Sequence, residues 1–279
     1  MKQFILNKEP DFSQGGDSGI VQLEGNDYHY LVNVRRLATG EFFPALLPDG
    51  KETLVQVISI ERGILTGKCN ARFDKLSDHA ESPAHRKKNN LPPIILFQSL
   101  PKGDKMDLIV RQAAEGGIAE IVPFVSEFST AKISVEKGQK FLRWERIIKE
   151  ARQQSGSMTA TTLHQPLTMS ELFDYWKKIR EKDPSNPQST NSLGLLFHHQ
   201  KGLENESLHG YLNSNPQIVA FAIGPEGGFS DKEVSLFIEN GFKSLTIGDT
   251  VLRTETAALY CAAAIRVLLL EKNSWMMLK

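Results

Sequence analysis

Two glycine-bearing loops hold the residue types best suited to chemistry. The first, Gly224-Pro225-Glu226-Gly227-Gly228-Phe229-Ser230, follows the apolar run Val219 to Ile223. Its glycines let the backbone approach a ligand closely and take positive φ. Ser230 and Glu233 have capping-box spacing, which starts a helix directly after the loop. The spacing fits neither G-x-x-x-x-G-K-[ST] nor G-x-G-x-x-G, so a phosphate cradle has little support, and a sharp strand-to-helix turn accounts for the same residues. The second loop, Gly248-Asp249-Thr250-Val251-Leu252-Arg253-Thr254-Glu255-Thr256-Ala257, follows Phe242 to Ile247. Arg253 is a fixed cation with planar donors, and Glu255 falls in a first helical turn, where the dipole favours a carboxylate. Mutual pairing at a helix start and a part in catalysis are both open to this pair. His198-His199 invites a metal reading, but neighbours on a strand point to opposite faces and no third ligand stands at diagnostic spacing; no metal is expected.

The elements that position these loops read as alternating strands and helices. Strands are expected at Ile94 to Phe97, Ile118 to Val125, Leu193 to Phe197, Gln217 to Ile223 and Lys243 to Ile247. Helices are expected from about Lys105 to Glu115, Val135 to Ser155, Ser170 to Arg180 and Ser230 to Asn240. In the second of these, Phe141, Trp144, Ile147, Ile148 and Ala151 share one arc and face a core. Such alternation implies an α/β fold with a mostly parallel sheet covered on both faces, whose ligands bind beyond the carboxyl ends of the strands. The run from Ala257 onward is apolar nearly all round, which points to a homodimer interface.

Before this region the texture is different. Short strands are expected at Tyr28 to Val32, Phe42 to Leu47, Thr53 to Ile60 and Gly63 to Lys68, with turns at Pro48-Asp49-Gly50 and Glu61-Arg62-Gly63. A small β-barrel over 1–78, a polar linker over 79–90 and an α/β domain over 91–279 follow from this reading. Arg35 and Arg36 are expected on an extended segment that presents at least one guanidinium outward, whereas His85-Arg86-Lys87-Lys88 reads first as a solvated linker. Phe12, Tyr28 and Tyr30 are barrel core before they are base-stacking groups.

Composition bounds the function. The chain has 279 residues, with Lys+Arg and Asp+Glu both at 33 and a formal net charge of zero. Bulk coating of nucleic acid or anionic membrane is excluded, and any polyanion must be met by a local patch. The two cysteines, Cys69 and Cys261, are too far apart for a disulfide framework or a cysteine-type zinc site, and a cytoplasmic setting is expected. The longest apolar stretch, Ala257 to Leu270, is interrupted by Arg266 and is shorter than the roughly 18 residues of a membrane span.

The ordered set of motifs resembles the RsmE family of ribosomal RNA methyltransferases, in the SPOUT class. It comprises GPEGGFS and GDTVLRTETA, and upstream Lys102 to Asp107, Glu115 to Phe124, Trp144, Glu150 to Gly156 and His29 to Glu41. The resemblance implies a trefoil-knotted α/β domain preceded by a PUA-like RNA-binding barrel. It implies S-adenosyl-L-methionine as cofactor, N3 of a uridine in 16S rRNA as the methylated atom, and rRNA or an assembled small ribosomal subunit as partner of a homodimer. Cofactor contacts carried over are Leu196, Phe197, His198, Gly224, Pro225, Glu226, Gly227, Gly228, Ile247, Gly248, Leu252, Arg253, Thr254 and Ala257. Arg253 is the candidate for stabilising charge on the uracil carbonyls, and Glu226 or Glu255, besides Asp249, for taking the proton. Arg35, Arg36 and Arg152 are the candidates for RNA.

The chain departs from the family at Gly116, where leucine is usual, and at Phe128 and Ser157, where arginines are usual. The loss of two cations weakens phosphate contacts. A dimeric RNA-binding protein of the same fold with lost or altered activity is therefore the alternative, and an enzyme on a small nucleotide the third reading.

Overall fold

The computed structural model describes residues 4–11, 18–70, 91–129, 138–181, 191–199 and 206–276. Two compact units divide it: Met1–Asn89 with Arg152–Ala160, and Asn90–Ala151 with Thr161–Lys279. The expected linker 79–90, the basic patch His85 to Lys88 and the ring of Phe12 lie outside the described residues.

In the first unit, β1 (Phe4–Ile5), β2 (Ser18–Leu23), β3 (Phe42–Leu46), β4 (Glu52–Glu61) and β5 (Ile64–Asn70) form one sheet in the order β1-β3-β4-β5-β2. The β3–β4 and β4–β5 pairs are antiparallel hairpins. Alternation along β4 sends Val55 and Val57 inward, where they join Phe43, Leu65 and Leu31 in the core. The strand expected at Tyr28 to Val32 is a correction: Gly25–Tyr28 is α-helical (α1) and continues into a π-helical turn over His29–Val34. The aromatic and β-branched residues there favour a strand locally. Only Leu31 is fully buried, however, so the segment needs a single anchor instead of the alternating burial that fixes a strand. Arg35 closes that turn in the right-handed region, and Arg36 takes a left-handed φ of 58°. The two arginines therefore do not sit on an extended segment.

Among the described residues the second unit holds six strands, β6 (Ile94–Ser99), β7 (Glu120–Phe124), β8 (Thr162–Leu163), β9 (Ser192–Phe197), β10 (Ile218–Ile223) and β11 (Phe242–Leu245). They pair in the order β11-β9-β10-β6-β7-β8, and every pairing is parallel. The helices are α2 (Lys105–Glu115), α3 (Gln139–Ser155), α4 (Met169–Arg180), α5 (Leu208–Leu212), α6 (Asp231–Glu239) and α7 (Thr254–Met276). Alternate residues along each strand divide between two cores. Leu96, Ile121, Leu195 and Phe221 pack with α2, α3 and α7, while Ile95, Phe97, Val122 and Leu196 pack with α4 and α6. Burial on both faces is why β10 reads as an unbroken apolar run, and β6 does so from Ile94 to Phe97. This is the fold class expected, a small β unit before a parallel α/β unit. Among the described residues no helix is long and apolar enough to cross a membrane.

The stripe on α3 is buried at all five expected positions. Gly116 is the C-cap of α2, not an interior residue, so the interior propensity penalty of glycine does not apply to it. At the start of α6 the capping box is complete: Glu233 N donates to Ser230 Oγ at 3.3 Å, and Ser230 N donates to the Glu233 carboxylate at 3.0 Å. Ser230→Ala should lower stability by about 1 kcal/mol. A urea midpoint that falls with an unchanged m-value is the expected result, and an unaltered midpoint would show that the cap contributes nothing.

Candidate functional site

Because β11, β9, β10 and β6 are sheet neighbours, the loops leaving their carboxyl ends lie side by side. Those after β9, β10 and β11, with the start of α7, enclose a cleft of about 250 Å³ lined by residues 197–199, 223–229, 246–252, Thr254, Ala257 and Cys261. Of the expected cofactor contacts, Phe197, His198, Gly224, Pro225, Glu226, Gly227, Gly228, Ile247, Gly248, Leu252, Thr254 and Ala257 line it. Leu196 does not, because strand alternation sends it into the core on the opposite face of the sheet. Arg253 and Glu255 also lie outside the lining. Sequence reasoning missed His199, Ile223, Phe229, Thr246, Thr250, Val251 and Cys261 as lining residues. For Cys261 a signal existed: it stands one helical turn after Ala257, on the same face of α7.

One glycine owes its identity to a left-handed backbone and its neighbour to close approach. Gly228 has φ of +71°, and a Cβ there would stand 3.4 Å from the His199 ring. A Cβ on Gly227 would stand 2.9 Å from Phe128 Cβ, closer than carbon atoms pack. The turn bearing Phe128 is itself pinned. Ser99 Oγ lies 2.6 Å from Ser126 Oγ and 2.8 Å from Ser129 Oγ, Ser129 N donates to Ser126 O at 3.0 Å, and Glu127 N donates to Glu233 Oε1 at 2.7 Å.

Three buried polar groups tie the loops together. Thr254 Oγ1 donates to Gly224 O at 2.7 Å and accepts from Gln98 Nε2 at 3.1 Å, and Gln98 Nε2 also donates to Ser99 O. The end of β6, the glycine loop and the first residue of α7 are thus held by one hydroxyl. His198 Nε2 and Ser244 Oγ, 2.7 Å apart, link the end of β9 to β11.

At the rim, Lys105 is the cation that sequence reasoning passed over. Its Nζ lies 2.6 Å from Glu226 Oε1 and 3.8 Å from Glu255 Oε2. Burial pushes the Glu226 carboxyl up, but the Lys105 ammonium and the backbone N–H groups of Glu226 and Lys102 outweigh it, and the net shift is downward. The Lys105 ammonium is shifted up, chiefly by its hydrogen bond to Glu226 and against the opposing charge of Arg253. Glu255 Oε2 is buried and has no hydrogen-bond partner among the described residues. On the cleft floor, burial pushes the Cys261 thiol up to about 12.

The three arginines expected to meet RNA differ in environment. Arg36 is exposed and Arg35 half-buried. Arg152 is only 6% exposed, with Nε and Nη2 lacking partners among the described residues, and burial lowers its pKa. Taken together, the cleft offers backbone donors and acceptors, an apolar wall of Ile223, Ile247, Leu252 and Ala257, and charge at one edge. That mixture suits an organic ligand with both polar and apolar parts.

Residues 87–266 match the family described as RNA methyltransferase domain, and residues 23–68 match the RNA methyltransferase PUA domain. The chain is 30% identical over 277 residues to ribosomal RNA small subunit methyltransferase E 2 of Borreliella burgdorferi, covering 98% of this chain and 100% of that protein. It is 30% identical over 251 residues to ribosomal RNA small subunit methyltransferase E of a Synechocystis species, covering 89% and 73%. The crystal structure of a ribosomal RNA small subunit methyltransferase E from Neisseria gonorrhoeae, bound to S-adenosyl methionine, superposes with a TM-score of 0.70 at 25% identity, covering 96% of this chain and 98% of that one.

The depressed Glu226 pKa has a testable sign. A group whose folded pKa is lowered contributes above its ordinary range and loses that contribution as pH falls through the folded value. A carboxyl-carbon NMR titration should place the Glu226 midpoint below the ordinary value of about 4.3, and Lys105→Met should raise it. A parent midpoint at or above that value would refute the pairing.

Proposed function

The chain belongs to the ribosomal RNA small subunit methyltransferase E family, and from that premise we propose that it transfers a methyl group from S-adenosylmethionine to N3 of one uridine in 16S rRNA. The observation that carries the reading is the glycine-walled cleft at the carboxyl ends of adjacent parallel strands, tied by Thr254. The residues present fit the cofactor. Gly227 and Gly228 leave no side chain between the backbone and a ligand, Gly248 opens onto free space, and Ile223, Ile247, Leu252 and Ala257 provide an apolar side. S-adenosylmethionine held there supplies a methyl group on a positively charged sulfur.

The chain's own residues do the rest. Loop backbone groups fix the line between the methyl carbon and the incoming nitrogen, so the reaction needs alignment more than covalent help from the protein. Arg253 balances the negative charge that develops on the uracil carbonyls as the N3 proton leaves. Glu226, held ionised by Lys105 and the Lys102 N–H, anchors the glycine loop and is a weak proton acceptor. Glu255 is assigned the proton because its Oε2 has no hydrogen-bond partner among the described residues and only the Lys105 ammonium, 3.8 Å away, as a charged neighbour.

The unit over 1–78 is assigned to RNA binding through Arg35 and Arg36, with 79–90 as linker and 91–279 as the methyltransferase domain. Homodimerisation is supported by α7, which leaves Leu259 at 41%, Tyr260 at 53% and Val267 at 48% exposure beside an apolar groove shared with α2. The substrate is assigned as 16S rRNA or the assembled small subunit, in the cytoplasm, during ribosome biogenesis.

Transfer of labelled methyl to small ribosomal subunits, with the base identified by mass spectrometry, tests this directly. Production of 3-methyluridine supports it; tight S-adenosylmethionine binding without transfer would favour an inactive RNA binder instead. Arg253→Ala should reduce transfer at least tenfold, equivalent to about 1.4 kcal/mol of transition-state stabilisation, and leave the sedimentation of the dimer unchanged. An undiminished rate would remove Arg253 from the mechanism.

A further inference from the structure

We propose that Phe128 is a stacking platform for a nucleobase of the RNA substrate at the mouth of the glycine-walled cleft. This rests on the function proposed above and names a contact of the same site.

The ring stands in an unusual place for a phenylalanine. It is 46% exposed, whereas Phe124, Phe229 and Phe237 in the same unit are buried against one another. Its position is nevertheless determined. A Cβ on Gly227 would lie 2.9 Å from Phe128 Cβ and 3.2 Å from Cγ, so the side chain leans on the glycine loop at a point that tolerates no atom between them. The supporting turn is held by the Ser99, Ser126 and Ser129 hydroxyls and by the Glu127 N–H on Glu233, the same carboxylate that caps α6. Gly227 also lines the cleft. A half-exposed ring whose Cβ and Cγ are seated against Gly227, a residue of the cleft wall, has less conformational freedom to lose when a flat partner covers it than a side chain standing free in solvent.

The chemistry of that partner follows from the ring. Phenylalanine has no donor, acceptor or charge, so it reads no phosphate and no base edge; what it presents is a π-face. Every nucleobase has a complementary face, and unpaired bases splayed from single-stranded RNA stack on such rings. An arginine, usual at this position in the family that the sequence resembles, offers a cation suited to phosphate and to salt-dependent affinity. Phenylalanine replaces that contact with one insensitive to salt. The exchange preserves RNA binding at this corner by a different interaction.

Steady-state transfer to small ribosomal subunits and calorimetry with S-adenosylmethionine, run in parallel, test the proposal. Phe128→Leu keeps an apolar cover on Gly227 but removes the flat ring. It should raise the KM for RNA about tenfold with cofactor affinity unchanged within twofold, and Phe128→Trp should rescue the KM. Phe128→Arg should bind RNA with a steeper salt dependence, by about one unit of slope. An unaltered RNA KM in Phe128→Leu, or an equal loss of cofactor affinity, would overturn the stacking role and leave the ring as packing alone. If the parent transfers no methyl group, the proposed function fails separately. Filter binding of 16S rRNA then decides the stacking: a tenfold loss in Phe128→Leu restored by Phe128→Trp supports it, and equal affinities or no binding by the parent refute it.

Discussion

All six strands of the second unit run in one direction, and the site depends on that constraint. Parallel pairing forces each strand to be followed by a crossover, so every strand releases its chain at the same edge. With β9 between β11 and β10, and β10 beside β6, segments more than a hundred residues apart in sequence share one edge. Lys102 and Lys105 meet Glu226 there, and Gln98 meets Thr254. Antiparallel pairing of any central strand would carry its loop to the far side and remove one wall of the cleft.

Within this arrangement polar satisfaction does more positioning than hydrophobic packing. The Thr254 hydroxyl is almost fully buried and is used as both donor and acceptor, so its two partners fix its orientation. A buried carbonyl such as that of Gly224 loses considerably when left unpaired, which makes the tie hard to break locally. The rim follows different rules. Lys105 and Glu226 are each about one-third exposed, so water screens their attraction, and the pair contributes more to placing the glycine loop than to stability.

Legibility in the sequence followed range. The boundaries of α2, the buried stripe of α3 and the capping box of α6 were readable because each is decided by residues three or four apart. Both cofactor-side loops were readable because glycines, a proline and charges interrupt long apolar strands. The helical conformation of residues 25–34 was not, since local propensity favoured a strand and only the placement of Leu31 in the core overrode it. Lys105 stands in the sequence only as part of a motif and at a helix start, and Gln98 falls just past the expected strand Ile94 to Phe97; their roles are set by partners distant in sequence. The family resemblance carries Leu196 over to the cleft, and strand alternation places it in the core on the other face.

The Cys261 sulfur on the cleft floor has a bearing on how safely such a site can operate. A sulfonium methyl donor alkylates soft nucleophiles, and thiolates are the softest that proteins carry. With burial pushing its thiol up to about 12, Cys261 stays protonated at neutral pH, and a protonated thiol is a poor nucleophile. Burial at this position thus keeps the Cys261 sulfur in its unreactive, protonated form even where it borders the cleft.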